Sequence, residues 1–263
     1  MNPENFFIKG WCRFGLDPSL ARWVEHVLPV AREAVWSEDN ASWLRCGGTW
    51  FAGVNVLPND ETGRVGDSGA LRGKAVDFIG RSLGLSEFEW DRGQVSVCYP
   101  YYPQPMPSET AGAFRYRRLR DAAHVDGLLP EGPHRRRHLR EYHGFILGIP
   151  MVDFGPDASP FVVWEGSHEL MRAAFAERFG NRPPDRWGDE DITAVYHKAR
   201  REAFANCRRI AIAATPGESF VVHRLALHGV APWAESAVAG DDGRMICYFR
   251  PEVGGRSNWL YAR

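Results

Sequence analysis

Hydrophobic residues recur with two different periods along this chain, and the change of period predicts helices first and strands afterwards. After Asp17-Pro18, which can cap a helix and occupy its first position, apolar residues recur three and four positions apart. These residues are Leu20, Trp23, Val24, Val27, Leu28 and Ala31. A second helix is predicted to begin with Ser68 as its cap and to end near Gly84. Its inward residues are Leu71, Ala75, Phe78 and Ile79.

From about residue 90 onward, short apolar runs bounded by proline and glycine predict β-strands. The runs are 95–99, 145–149, 161–164, 209–213, 219–223 and 245–249, with a further strand expected within 47–56. Connections rich in turn-forming residues are interpreted as loops, namely 57–69, 101–112 and 127–140. One helix is predicted between a Ser167 cap and Gly180, and another from Asp189 or Asp191. Many short strands separated by turns favour a sandwich or barrel over a parallel sheet.

Composition and charge narrow the class of protein. The chain has 263 residues, of which 44% are hydrophobic, and this is enough for one large globular domain. Its formal net charge of −1 indicates no general attraction to nucleic acid or to membranes. The five cysteines are scattered, which argues against a disulfide framework and a thiolate zinc site. Because the N-terminus lacks a signal-peptide pattern and no apolar run approaches about 18 residues, we expect a cytoplasmic protein without a membrane span.

A histidine and a carboxylate two positions apart are the clearest candidates for chemistry. His124 and Asp126 lie in the segment 121–127, a predicted strand or strand end, so their side chains are expected to face the same way. With His228, far downstream, they could form the set of two histidines and one carboxylate that holds Fe(II) in non-haem oxygenases. That set leaves adjacent coordination sites open for a co-substrate and O2. A His-x-Asp pair is also common by chance, and on its own it more often marks an ordinary surface or hydrogen-bonded histidine.

Two further residues bear on this candidate site. Arg244 opens the last predicted strand, and a buried arginine there needs an anionic partner. A dicarboxylate co-substrate could supply that partner in bidentate geometry, and so could the nearby Asp241 or Asp242. His223 precedes His228 by an odd number of residues, so in one continuous strand the two histidines would face opposite sides. Only one of them can then be the distal ligand.

Four segments in a fixed order resemble the phytanoyl-CoA dioxygenase family over roughly residues 90–250. They are His124-x-Asp126, the segment 160–168 ending in Gly-Ser-His, the segment 216–229 ending in His-Gly, and Gly243-Arg244 before the last apolar strand. The resemblance implies Fe(II) as the metal and 2-oxoglutarate as co-substrate. It implies His124, Asp126 and His228 as the catalytic metal ligands. This match favours His228 over His223.

The resemblance also implies two contacts to the co-substrate. Arg244 matches the arginine that pairs with the far carboxylate of 2-oxoglutarate, and Gln94 lies on a strand that borders the site in this family. The chain differs from the family pattern at Val230, where serine is frequent, and in its longer span between His228 and Arg244.

The expected organisation is a single dioxygenase domain over residues 1–263. Its fold class is mainly β with flanking helices (α+β), around a double-stranded β-helix, or jelly-roll and cupin-like, core. A helical N-terminal part, 1–90, would pack on a core formed by 91–263. A helical insert is expected at about 168–207.

The function expected from these residues is hydroxylation of an unidentified small molecule by O2, with release of succinate and CO2. Asp126 favours hydroxylation over halogenation, because related halogenases lack this carboxylate. Arginines at 115–120 and 135–137 flank the metal segment and could bind an anionic substrate, or form a solvated face. Two alternatives are a cupin-like hydrolase or isomerase with another divalent metal, and a non-catalytic small-molecule-binding protein of the same fold.

Overall fold

The computed structural model describes residues 5–262. Its strands are β1 (Trp11–Phe14), β2 (Leu44–Arg45), β3 (Trp50–Phe51), β4 (Gln94–Cys98), β5 (Leu128–Glu131), β6 (Arg136–Leu139), β7 (Phe145–Pro150), β8 (Phe161–Trp164), β9 (Arg209–Ile212), β10 (Ser219–His223), β11 (His228–Val230) and β12 (Arg244–Phe249). Its helices are α1 (Phe6–Lys9), α2 (Pro18–Trp36), α3 (Lys74–Ser82), α4 (Ala111–Leu119), α5 (Ser167–Phe179), α6 (Thr193–Asn206) and α7 (Gly255–Tyr261), with 3-10 segments at Glu38–Trp43 and Pro184–Asp189. Within 5–262, no helix combines the length and the apolar character that crossing a bilayer requires.

Two antiparallel sheets form the core that positions the site. The larger sheet has the strand order β1-β10-β7-β12-β4-β3-β2, and the smaller has the order β11-β8-β9. A backbone bridge between His124 and His228 adds the segment around His124 to the open edge of β11. The resulting connectivity is that of a jelly roll, in which two Greek keys close into a double sheet. The predicted fold class, mainly β with flanking helices around a jelly-roll core, is confirmed.

Apolar side chains cover both faces of the larger sheet. On the inner face, Ile146 and Phe220 meet Phe161 of the smaller sheet in one buried cluster. On the outer face, the predicted apolar stripes of α2 and α3 pack against strands β7, β10 and β12. Trp23 of α2, for example, lies with its ring 6.0 Å from that of Phe249. The burial explains why these helices show a 3.6-residue apolar period.

The first 90 residues supply strands as well as helices. Strand β1 pairs with β10 at one edge of the larger sheet, and β3 pairs with β4 toward the other edge, followed by β2. Strand β3 lies within the range 47–56 where a strand was expected, whereas β1 and β2 were not expected in the helical N-terminal part. Strands of two to four residues carry too little alternation to be distinguished from loop by their sequence.

The helical insert leaves and rejoins the smaller sheet at one point. Strands β8 and β9 pair directly, although α5 and α6 lie between them in the chain. The backbone N–H of Glu165 donates to the carbonyl of Arg208 at 2.9 Å, which closes the base of the insert. Helix α5 ends at Gly180, as predicted.

Two segments for which no helix or strand was predicted contain regular structure. Residues 127–140 form the hairpin β5–β6, whose turn places Gly132 and Arg135 at φ values of 65° and 49°. The basic stretch after the proline-rich link forms α4, which Thr110 caps by accepting a hydrogen bond from the N–H of Ala113 at 3.2 Å. The prediction missed both because prolines and arginines mask the apolar period.

Of the starts predicted for three later helices, those at Ser68 and Ser167 differ from the structure, whereas Asp191 acts as expected. Ser68 accepts a hydrogen bond from the N–H of Val65 within a loop, and α3 begins after Gly73. The hydroxyl of Ser167 is fully buried and accepts from the N–H of Leu227 at 2.8 Å, so it joins α5 to the segment before His228. Asp191 accepts from the N–H of Thr193 at 2.9 Å, which stabilises the start of α6.

Candidate metal centre

The two candidate histidines face each other across an antiparallel backbone bridge. The N–H of His124 donates to the carbonyl of His228 at 2.8 Å, and the N–H of His228 donates to the carbonyl of His124 at 3.0 Å. Their rings lie 4.6 Å apart between centroids. Residues directly opposite each other in such a bridge place their side chains on the same face. The fold therefore joins the two distant sequence motifs by pairing their backbones.

Asp126 completes the group. Its Oδ1 lies 3.1 Å from Nε2 of His124 and 3.6 Å from Nε2 of His228. One ligand atom from each of the three residues lies within 4.8 Å of the other two, and this is the only such group among the residues described by the structure. Asp126 and His228 are buried, whereas the His124 side chain is 51% exposed. The group thus lies at the bottom of a pocket that is open on the side of His124.

Hydrogen bonds fix the tautomer of both histidines. Nδ1 of His124 lies 3.0 Å from the carbonyl of Ala122, and Nδ1 of His228 lies 2.9 Å from the carbonyl of Ala226. A carbonyl can only accept, so each Nδ1 carries the proton and donates. Each Nε2 then points toward Asp126, the direction from which it would bind a metal. Metal-bound histidines usually donate their other ring N–H to a carbonyl or carboxylate, as Nδ1 does here.

Two glycines allow the ligand segments to approach closely. A Cβ on Gly229 would lie 2.1 Å from the carbonyl oxygen of Asp121, on the paired segment. Gly127 has φ +80°, and a Cβ there would lie 2.2 Å from the carbonyl oxygen of Glu141. Only glycine fits at both positions. The Gly that follows His228 and the Gly that follows Asp126 are therefore required by the backbone geometry of the site.

Opposing effects act on the carboxyl of Asp126. Burial raises its pKa, but Arg250 and the two histidines together hold that pKa well below the ordinary value. Nη1 of Arg250 lies 3.3 Å from Oδ2 of Asp126. The carboxylate is therefore ionised, as a metal ligand must be. Sequence reasoning did not find Arg250, because nothing near residue 250 indicates a partner at residue 126.

Arg244 is buried with two of its nitrogens unpartnered. It is 0% exposed, and its Nη2 donates to the phenol oxygen of Tyr248 at 2.8 Å. Its Nε and Nη1 have no hydrogen-bond partner. The alternative that Asp242 neutralises it is not realised, because Asp242 pairs with Arg32 at 2.7 Å, and no carboxylate of residues 5–262 lies within ion-pair distance of Arg244. A buried guanidinium with free donors fits an anionic ligand.

A cavity of about 220 Å³ opens in front of the triad. Its wall includes the three triad residues together with Arg45, Trp50, Ala52, Val54, Gln94, Ser96, Ile146, Phe161, Gly229, Val230, Tyr248 and Arg250. Gln94 lies in this wall, with its Nε2 donating to the carbonyl of Ala52 at 2.7 Å. Tyr248 connects the cavity to Arg244. Most of the remaining wall is apolar, as is usual for small-molecule sites.

The arginine runs highlighted by the sequence lie outside this wall. Arg117 on α4 forms an ion pair with Glu109 at 2.5 Å, and Arg136 pairs with Asp191. The two arginines that do line the cavity are Arg45, on the short edge strand β2, and Arg250, just after β12. Neither belongs to a run of charges, which is why the sequence did not single them out.

His223 lies away from the triad. It is 1% exposed and packs beside His168, with ring centroids 4.8 Å apart, and beside Phe6. Its Nδ1 accepts a hydrogen bond from the N–H of Leu225 at 3.0 Å. Burial, Arg224, His168 and Arg172 hold its pKa well below the ordinary value. His228, and not His223, is therefore the histidine that faces His124 and Asp126.

The comparisons with known proteins give structural matches alone. No protein-family model matches the chain, and no curated protein matches its sequence. SnoK, a non-heme alpha ketoglutarate dependent carbocyclase from nogalamycin biosynthesis, is similar at a TM-score of 0.51 and 12% identity, over 94% of this chain and 81% of SnoK. The epimerase SnoN in complex with Fe3+ and alpha ketoglutarate is similar at a TM-score of 0.49 and 14% identity, over 94% of this chain and 80% of SnoN. AviO1 from Streptomyces viridochromogenes Tue57 is similar at a TM-score of 0.48 and 13% identity, over 96% of this chain and 95% of AviO1. The likeness to SnoK establishes a shared fold.

Proposed function

We propose that this chain is a non-haem Fe(II) and 2-oxoglutarate-dependent dioxygenase that hydroxylates a small molecule, within a single domain. One observation carries the proposal. The cavity with the His124, Asp126 and His228 group at its base adjoins Tyr248, whose phenol accepts from the buried and otherwise unpartnered guanidinium of Arg244. A metal site with an adjacent anion site suits an anionic co-substrate that also binds the metal. The fold shared with SnoK, an alpha ketoglutarate dependent enzyme, supports the proposal.

The donor set fits Fe(II). Two neutral imidazole nitrogens and one carboxylate oxygen are the ligands of the facial triad, which leaves positions open for other ligands. When bound, Fe(II) and 2-oxoglutarate supply the oxidising power that transfers an oxygen atom from O2 to a substrate C–H bond and release succinate and CO2. The protein contributes the three ligands, their fixed tautomers and the ionised state of Asp126.

Other residues of the cavity bind, orient and exclude water. Arg244 would pair with the far carboxylate of 2-oxoglutarate through its two free nitrogens, and the Tyr248 phenol holds the third in place. Phe161 stacks on the ring of His228, with centroids 5.3 Å apart and planes 11° apart. With Ile146 it presents an apolar wall that keeps bulk water from the reacting groups.

The substrate that fits the cavity carries an anionic group. Arg45 lies exposed in its wall, 4.8 Å from the ring of Trp43, and no carboxylate of the described residues pairs with it. Arg250, the other arginine of the wall, is paired with Asp126, which leaves Arg45 as the wall arginine available to an anionic substrate. The carboxylate of Asp126 would occupy the coordination position that a halide would need, so hydroxylation is favoured over halogenation.

An anaerobic titration tests the proposal. Adding Fe(II) and then 2-oxoglutarate to the metal-free protein should produce a weak visible charge-transfer band, because the keto acid would chelate the metal. On exposure to O2, slow release of succinate should follow even without the primary substrate. Bound metal with neither a band nor succinate would contradict the co-substrate assignment. It would instead favour a hydrolase or isomerase, or a binding protein, built on the same three ligands.

A further inference from the structure

The two carboxylate oxygens of Asp126 have different partners. Oδ1 faces Nε2 of both His124 and His228, whereas Oδ2 faces Nη1 of Arg250. We propose that Arg250 is a positioning residue that holds Oδ2 and restricts Asp126 to one-oxygen metal binding through Oδ1. The inference rests on the proposed metal site and goes beyond it, because it assigns a role to a residue outside the ligand set.

The position of Arg250 is itself fixed by the fold. Its backbone N–H donates to both carboxylate oxygens of Asp91, at 3.0 and 3.1 Å. Its carbonyl oxygen accepts a hydrogen bond from Nδ1 of His143, whose Nε2 donates to Glu141 at 3.0 Å. The Arg250 side chain is 20% exposed and the Asp126 side chain 6%. The ion pair is therefore shielded from water, and such a contact is stronger in the protein interior than at the surface.

A fixed carboxylate matters for this kind of site. A carboxylate can bind a metal through one oxygen or through both, and two-oxygen binding would use a position that a co-substrate or O2 needs. An arginine on Oδ2 opposes the second mode, since the guanidinium and the metal compete for the same oxygen. By holding the carboxylate in one orientation, it also lowers the entropy lost when the metal binds.

The competing interpretation is that Arg250, and not Arg244, holds the far carboxylate of 2-oxoglutarate. The charges disfavour it. Arg250 already has an anionic partner in Asp126, whereas Arg244 has no anionic partner among the described residues and two unpartnered nitrogens. The two interpretations also predict different effects of replacing Arg250. The proposal predicts weaker metal binding, and the competing interpretation predicts weaker 2-oxoglutarate binding.

The test uses Co(II), which binds the same ligand set and whose visible absorption depends on coordination number. Metal-free wild type, Arg250→Met, Arg250→Lys and Arg45→Met are titrated with Co(II) without co-substrate, and thermal unfolding is recorded for each. Arg45 lines the same cavity without touching Asp126, so Arg45→Met controls for loss of a cavity arginine. We expect Arg250→Met to bind Co(II) about 10- to 100-fold more weakly, with an altered band intensity, and Arg45→Met to bind it as wild type does. Arg250→Lys, which keeps the charge, should fall between them.

The outcomes separate this inference from the proposed function. If Arg250→Met binds Co(II) with wild-type affinity and an unchanged spectrum, Arg250 does not position Asp126. The Co(II)-loaded proteins are then titrated with 2-oxoglutarate. If Arg250→Met keeps its metal affinity and loses 2-oxoglutarate affinity, the competing interpretation is right. If wild type itself does not bind Co(II), or if His124→Ala still binds it as wild type does, the metal site fails, and with it the proposed function. A folded Arg250→Lys with partial affinity keeps the test valid even if Arg250→Met unfolds.

Discussion

The backbones of His124 and His228 donate hydrogen bonds to each other in both directions, at 2.8 and 3.0 Å. The two imidazoles are thus placed by main-chain pairing and not by loop packing alone. A backbone bridge of this kind has a narrow range of geometries. The spacing of the two ring nitrogens is therefore set before any metal arrives.

Replacing the histidines one at a time should distinguish those that bind the metal from those that only pack near the site. We expect His124→Ala to abolish stoichiometric Fe(II) or Co(II) binding, since one of three ligands is lost. His223→Ala should keep most of the binding, because that side chain packs beside His168 and Phe6. Anaerobic calorimetry measures both affinities. If His228→Ala keeps the binding and His223→Ala abolishes it, His223 is the distal ligand.

Adding a methyl group at Gly229 should damage the site without touching a ligand. The new Cβ in Gly229→Ala would lie 2.1 Å from the carbonyl oxygen of Asp121, so the paired segments must separate. We expect a loss of about 1–3 kcal/mol in the free energy of unfolding and weaker metal binding. Gly112→Ala is the matched control, because a Cβ there meets nothing within 4 Å. Equal behaviour of the two variants in urea unfolding and metal titration would contradict the explanation.

Arg244→Met should have opposite effects on ligand affinity and on stability. Losing the charged hydrogen bonds should weaken 2-oxoglutarate binding by about 10- to 100-fold in the metal-loaded protein. Removing a buried and poorly partnered charge should leave the ligand-free protein at least as stable as wild type. Calorimetry and thermal unfolding check the two parts. A clear loss of stability would indicate that Arg244 is a structural residue. The control is Arg32→Met, which breaks only the surface pair with Asp242.

Asp17 caps two helices at once. Its Oδ1 accepts from the N–H of Ser19 at 2.8 Å in α2, and its Oδ2 accepts from the N–H of Lys74 at 2.8 Å in α3. Asp17→Ala should therefore lower the free energy of unfolding by about 1–2 kcal/mol. Asp17→Asn, with one acceptor oxygen, can serve only one helix and should fall between. The exposed Glu33→Ala on α2 should have little effect.

The same residue predicts a dependence on pH. Burial raises the pKa of the Asp17 carboxyl, but hydrogen bonds from Lys74, Ser19 and Leu20 outweigh it and lower that pKa. A lowered folded-state pKa stabilises the protein above the ordinary carboxyl value, and this contribution is lost as pH falls through the folded-state value. Wild type should thus lose more stability than Asp17→Ala between neutral and acid pH. Parallel pH profiles of the two proteins would contradict the role of the charge.

The sequence predicted those parts of the fold whose stability depends on local pattern. Continuous apolar runs marked β7 and β8 because both strands are buried on two faces. Strand β1 was missed because its stability comes from pairing with β10, more than 200 residues away. Hairpin β5–β6 was missed because Pro130 and the arginines of β6 hide its alternation.

A similar division applies to the site. His124 and Asp126 could be found because they alternate with Ala123 and Val125, which are buried in a hydrophobic cluster, so the pattern is local. Arg250 was not found, since its role comes from a contact with a residue 124 positions earlier. A charged residue at the end of a buried strand is the one signal that could have suggested it.

The closed base of the helical insert has a consequence for how this protein could be altered. Because Glu165 and Arg208 are already hydrogen-bonded, the intervening segment could be cut out and β8 joined to β9 by a short turn with no break in the smaller sheet. Yet Met171 and Tyr196 of that segment pack in the same cluster as Ala123 and Val125, behind the ligands. The helical insert is thus not needed to connect the strands, but it supplies side chains that pack behind the metal ligands. A protein without the insert would keep both sheets and lose this packing.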